Sequence, residues 1–126
     1  MTMARWKKIL GDEGGATAIE FSIVGPVFLL MMIGAAYACM LLFAQSSLQY
    51  AVEAGARCAS VQTTVCTDSS TTTAAALAAY NGPIINPGFT YATAACGHQV
   101  SSTVNFGFNA GYFNATIPLS ATACYP

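Results

Sequence analysis

Gly15-Ala16-Thr17-Ala18-Ile19-Glu20-Phe21-Ser22-Ile23-Val24-Gly25-Pro26 opens an apolar run that continues as far as Ala44. Residues 21–44 contain no Asp, Glu, Lys, Arg or His, and these 24 positions at about 1.5 Å rise each cover about 36 Å, enough for a hydrocarbon core about 30 Å thick. The expectation is a membrane-spanning helix. Glu20 stands on its threshold, with Gly14 and Gly15 just before it. A carboxylate drawn to the bilayer centre costs on the order of 2.5–3.5 kcal/mol on insertion scales, so one retained at the edge calls for a partner. One local partner is a capping box, with the Thr17 hydroxyl accepting from the Glu20 N–H and the Glu20 carboxylate from that of Thr17. Another is an α-amine. Cleavage between Gly15 and Ala16 would create a cation with a pKa near 8, able to meet the Glu20 carboxylate of a neighbouring copy.

Outward from this stretch toward the N-terminus, residues 1–15 form a leader that is first basic, then acidic, and ends in glycines. Arg5, Lys7 and Lys8 precede the span, whereas Arg57 is the only basic residue in the short stretch after it, which orients the N-terminus to the cytoplasm and exports the rest. Trp6 beside Lys7 and Lys8 suits the membrane interface. Ala36-Tyr37-Ala38 before Cys39 loosely matches a signal-peptidase site, but the lengths argue against it. The uncharged stretch before that cut, residues 21–38, exceeds the usual apolar region of about 7–15 residues, and Met40-Leu41-Leu42-Phe43 continues it. Within the span Pro26 removes one backbone donor and is expected to kink or loosen the helix, and Gly34-Ala35-Ala36 permits close helix contact.

Toward the C-terminus, Leu48, Val52 and Ala56 recur every fourth residue, an amphipathic continuation of the same helix. Gly55 is its expected weak point, because glycine in a helix interior costs up to about 1 kcal/mol against alanine. Glu53 and Arg57 are spaced for an i, i+4 ion pair. Asp68 followed by Ser69 to Tyr80 reads as a capped short helix ended by Asn81-Gly82-Pro83. Alternation at Phe89, Tyr91 and Thr93, then from Val100 through Phe108, then from Ile117 through Ala123, predicts about three antiparallel strands. Gly97-His98 and Asn109-Ala110-Gly111 are the expected turns, with His98 exposed. A domain this small needs staples, and Cys58, Cys66, Cys96 and Cys124 supply an even set on the exported side. Four cysteines allow three connectivities. Cys58–Cys66 is the expected local pair across a short polar turn, and Cys96–Cys124 the pair that closes the sheet. The fold class is α+β: a long N-terminal transmembrane helix running into a small disulfide-stapled domain with a short helix and a three-stranded antiparallel sheet.

The 126-residue chain is 55% hydrophobic and only 7% charged, too apolar for an ordinary soluble domain. A net charge of −1 says nothing about nucleic acid, but the C-terminal side has no basic patch, only Arg57, and no nucleic-acid partner is expected. Beyond Cys58 the only ionisable side chains besides cysteine and tyrosine are Asp68 and His98, and no nucleophile-elbow pattern accompanies the serines, so no enzyme is expected. One histidine with disulfide-bonded cysteines makes no metal site, and no cofactor or small-molecule substrate is expected.

Gly15 followed by four residues and then Glu20-Phe21 resembles the processing site of type IV prepilins of the Flp/Tad class. The stretch from Gly15 to Phe28, with Ala56-Arg57-Cys58-Ala59-Ser60-Val61 and the C-terminal Ala121-Thr122-Ala123-Cys124-Tyr125-Pro126, is similar to TadE/TadG-like pilus assembly proteins. Phe21 stands where the major Flp pilins carry Tyr, and the chain is much longer than those pilins, which favours a minor pilin or pseudopilin. The resemblance implies a pilin-like fold and a prepilin-peptidase site at Gly15, Ala16, Glu20 and Phe21, with Glu20 and Pro26 on the assembly helix. Its implied partners are the membrane, other pilus subunits and the peptidase. The implied layout is a cytoplasmic leader at 1–15, the transmembrane helix and its extension at 16–60, and an exported domain at 61–126, in a bacterial inner membrane and, once assembled, the extracellular pilus. The competing expectation is an uncleaved single-pass anchor whose exported domain binds or scaffolds.

Overall fold

The computed structural model describes residues 13–126. In chain order they form helix α1 (Glu13–Val61), helix α2 (Ser69–Ala79) and strands β1 (Phe89–Ala94), β2 (Gly97–Ala110) and β3 (Phe113–Tyr125). The fold is α+β, as the patterning predicts. Arg5, Trp6, Lys7 and Lys8 lie outside the described residues. By its internal contacts the chain divides after Tyr37, and Ala38–Pro126 forms one compact unit. That unit therefore begins inside α1, well before the helix ends.

The core of this unit follows from the i, i+4 stripe on α1. Ala44, Leu48, Val52 and Ala56 are buried together with Ala76 of α2, Val100 and Val104 of β2, and Leu119 and Ala121 of β3. Each large side chain fully removed from water contributes about 1.5–3 kcal/mol. The alternation read in β2 is observed, with Val100, Ser102 and Val104 pointing inward between exposed or half-buried neighbours, whereas Thr93 of β1 and Ile117 of β3, counted in the same patterns, are exposed. Polar groups carried inside are tied down. Ser102 Oγ donates to the Gly88 carbonyl at 2.6 Å, and Ser47 Oγ accepts from the Asn81 N–H at 3.0 Å. Thr72 is buried, and its Oγ1 has no partner among the described residues.

Gly55 does not end the helix. It is buried where α1 meets α2, and a Cβ there would stand 2.9 Å from the Ala76 Cβ. The residue read as a weak point is thus the one that lets the helices touch. The helix closes at Val61, and Gln62 N–H still reaches the Cys58 carbonyl at 2.8 Å. A turn then returns the chain so that Cys66 bonds to Cys58. Asp68 starts α2 with a full capping box, its carboxylate accepting from the Thr71 N–H at 2.8 Å. That bond first, and then the Ser70 and Thr71 hydroxyls, hold the Asp68 carboxyl below its ordinary value of 3.8.

The sheet has order β1-β2-β3 and is antiparallel throughout. Both turns are displaced from their expected positions. Ala94 pairs with Gly97, so Ala95 and Cys96 form the first turn and His98 lies in β2. Gly97 adopts φ 116°, and any Cβ there would collide with the backbone of Tyr125 and Pro126. The second turn is Gly111-Tyr112, where Gly111 at φ 69° supplies the positive dihedral that a two-residue hairpin loop requires. Pro118, which has no N–H, sits in β3 at the edge of the sheet, where strands tolerate it. Cys96 bonds to Cys124 and so ties the first turn to the last strand.

Candidate functional site on the apolar helix

From Ile19 to Phe43, fourteen large apolar side chains of α1 are exposed, each by at least half. Seven of them, Val27 to Ile33, are consecutive and so cover nearly two full turns. A helix that is apolar on every side belongs inside a large core or a bilayer, and no core surrounds it here. Thr17–Val61 has the length and hydropathy to cross a membrane, and no other helix among the described residues does.

The residues expected to act at the start of this helix all lie along one element. Glu13 is its first residue, so Thr17 falls within the second turn and is not the N-cap, which corrects the capping-box expectation. The Gly15–Ala16 bond lies inside the first turn. Gly15 is exposed, with nothing within 4 Å of a built Cβ. Glu20 is exposed too, and its position is one turn beyond Ala16 on the same helix face. Phe21 is 77% exposed. Pro26 is inside the continuous helix, which leaves the Ser22 carbonyl without its i+4 donor. Ser22 itself donates from Oγ to the Ile19 carbonyl at 2.7 Å. Cys39, the free cysteine among the described residues, is exposed on the same apolar stretch.

Two polar features of the compact unit were missed or misread in the sequence. His98 is half-buried, hydrogen-bonded through Nδ1 to the Tyr91 hydroxyl and stacked on that ring at 5.9 Å between centroids. Placing the turn two residues late concealed this, since Tyr91 and His98 become diagonal neighbours only when Ala95-Cys96 is the turn. Second, Tyr50, Glu53, Arg57 and Tyr125 line an open groove of about 460 Å³ beside α1. Glu53 there accepts from Gln49 Nε2 at 3.2 Å, and no Glu53–Arg57 ion pair forms among the described residues. No group of three or more His, Cys, Asp or Glu side chains able to hold a metal occurs among the described residues. The groove is shallow and open, and no nucleophile stands beside a base in it.

An apolar helix able to span a bilayer, joined to a disulfide-stapled α+β unit, defines a protein of the membrane-anchored class. Residues 15–57 match the sequence model of the TadE family, described as TadE-like protein. The chain thus carries a TadE-like segment that includes Glu20, Pro26 and the helix up to Arg57. No curated protein and no solved structure gives a significant match.

Proposed function

We propose that this protein is a non-enzymatic component of a Tad-type pilus assembly system, a prepilin-like minor pilin or pseudopilin held in the bacterial inner membrane by α1. The observation that carries the reading is the TadE-like match over residues 15–57, which take in the exposed apolar part of α1 from Ile19 to Phe43 and the Glu20 carboxylate at its entrance. The N-terminal leader stays in the cytoplasm and the disulfide-bonded unit is exported, consistent with two disulfides in the exported part. Prepilin peptidase cuts after Gly15. Two adjacent glycines in the first turn lower the cost of unwinding that turn, by about 1 kcal/mol each relative to alanine. The new amine on Ala16 then meets Glu20 of a neighbouring subunit.

A second reading, an uncleaved single-pass anchor with a binding or scaffolding domain, is favoured by one observation: α1 runs unbroken across the Gly15–Ala16 bond. Mass spectrometry of the membrane-extracted chain separates the two. An N-terminus at Ala16 is expected, and Glu20→Ala is expected to insert normally while failing to assemble. Intact leader on protein recovered from normal fibres overturns the first reading in favour of the second.

A further inference from the structure

Within the compact unit, helix α1 has a second face that the unit leaves open. Its first face, with Leu48, Val52 and Ala56, is buried in the core. On the other side Tyr50, Ala54, Arg57 and Val61 follow one another at spacings of four, three and four, the stripe along which one helix lies against another. These four line the open groove of about 460 Å³ beside Tyr125. Toward the N-terminus the stripe continues through Ser46 to Phe43, where a second open groove of about 570 Å³ runs between α1 and the end of α2. Tyr50 and Val61 are 65% and 68% exposed, large side chains that the unit does not cover. All of these residues belong to Ala38–Pro126.

Charge says what fits there. From Ala44 to Val61 the only Asp, Glu, Lys, Arg or His residues are Glu53 and Arg57, one of each sign, and both line the groove. Glu53 accepts from Gln49 Nε2 at 3.2 Å, and the Arg57 guanidinium has no partner among the described residues. A carboxylate accepts several hydrogen bonds and a guanidinium offers five donors, so each retains capacity for the other. Each copy of the chain thus carries both halves of an ion pair, one helical turn apart on one face. In two parallel copies set level, like charges meet. Displaced by four residues, about 6 Å, Arg57 of one copy stands level with Glu53 of the other. The same shift sets Ala54 of the first level with Tyr50 of the second, a small side chain against a large one.

We propose that this open face of α1 seats the same face of a second copy of the chain, parallel and displaced by about one turn, with Arg57 of one copy donating to Glu53 of the other. The parallel sense follows from insertion, because every copy enters the membrane with the same leader and in the same orientation. An exposed ion pair adds little affinity by itself. Its part is to fix register and direction, since the wrong stagger brings like charges together, while Tyr50, Ala54 and Val61 supply the apolar contact. The proposal rests on α1 being a membrane span, and it requires neither leader cleavage nor the Glu20 pairing.

The test expresses the full chain, with the photo-crosslinking residue benzoylphenylalanine in place of Tyr50, in the inner membrane of a bacterial host without a Tad system. Irradiation is expected to yield a crosslinked dimer. Glu53→Arg alone and Arg57→Glu alone, each melting as the parent does, are expected to lower that yield about 3–10-fold, since each puts repulsion in place of attraction. Two conditions should restore it: the double reversal Glu53→Arg/Arg57→Glu in one chain, and co-expression of the two single variants, where crosslinks should join one variant to the other. Single reversals that crosslink as well as the parent overturn the proposal. So does a loss that neither the double reversal nor the mixture repairs, which assigns the groove to a different protein. A chain released from the membrane by alkaline washing overturns the span and the proposal together. The pilus reading stands or falls separately, on the N-terminus found at Ala16.

Discussion

Gly55→Ala sets two effects of known size against each other. In an exposed helix the change is favourable by about 0.8–1.0 kcal/mol, because alanine has the better helix propensity. At this position the added methyl would lie 2.9 Å from the Ala76 Cβ and 3.4 Å from Val100 Cγ2, against about 3.5–4.0 Å for relaxed carbon contacts. Ala76 has no rotamer to turn aside, so α2 or the sheet must move, and overpacking of this kind costs about 1–3 kcal/mol. The net expectation is a loss of up to about 2 kcal/mol, or a Tm lower by several degrees, at about 4–8 °C per kcal/mol for a unit of this size. A double-mutant cycle isolates the contact. Ala76→Gly alone destabilises through propensity and lost burial, yet in the Gly55→Ala background it also relieves the overlap. The double variant is therefore expected to be more stable than the sum of the singles by about 1–3 kcal/mol. Thermal unfolding of the detergent-solubilised, oxidised full chain measures all four corners. A Gly55→Ala protein that melts about 4–8 °C higher, with strictly additive singles, would refute the close approach of α1 and α2.

Four further outcomes are expected. Thr72→Val should be neutral or stabilising by about 1 kcal/mol in the same melt, because it removes a buried hydroxyl that has no partner among the described residues. Leu48→Ala should cost about 2–5 kcal/mol, since Leu48 is wholly buried at the centre of the core. Of the two disulfides, Cys96–Cys124 closes the longer loop, 28 residues against 8, so its removal should cost about 3.6 kcal/mol and that of Cys58–Cys66 about 2.5, on the chain-entropy model. Asp68 has a folded pKa below its ordinary 3.8, so its contribution to stability is complete above that value and is lost as the pH falls through the folded pKa. Asp68→Asn keeps a good cap and should flatten that acid limb in a pH series of melts.

The sequence carried the architecture where a period could be counted. The charge-free run, the fourfold spacing at Leu48, Val52 and Ala56, and the alternation around Val100 and Leu119 each name one face of one element, and each face is where the structure puts it. What could not be read was contact between elements. Gly55 looks like a defect until Ala76 is known to lie against it. The Glu53–Arg57 spacing is ideal on a bare helix, but Gln49 has the same spacing from the other side and takes the bond. Turn positions failed for a related reason: glycine follows the first turn and begins the second, and local sequence did not distinguish these uses. Of the candidate site, its place on the helix was legible, while the start of that helix at Glu13 was not.

One helix here meets two solvents, and the place where it changes over explains its composition. Up to Phe43 bulky apolar side chains stand exposed on all sides, a surface that water would not tolerate but lipid would. From Ala44 onward only one stripe is apolar and the protein covers it, while Ser46, Tyr50 and Glu53 turn outward. Buried positions from there are mostly small, among them Ala44, Ala51, Gly55, Ala56 and Ala59. Such a face lets α2 and the sheet come close with few large side chains to align. A domain resting on so thin a core gains little from burial. That is why the two disulfides lie at its loose ends: one fastens the end of α1 to the start of α2, the other the first hairpin to the last strand. Reduction should therefore release the sheet while the span, which depends on lipid for its surroundings, stays helical. Circular dichroism of the reconstituted chain before and after reductant would detect the difference as lost strand signal over an undiminished helical one.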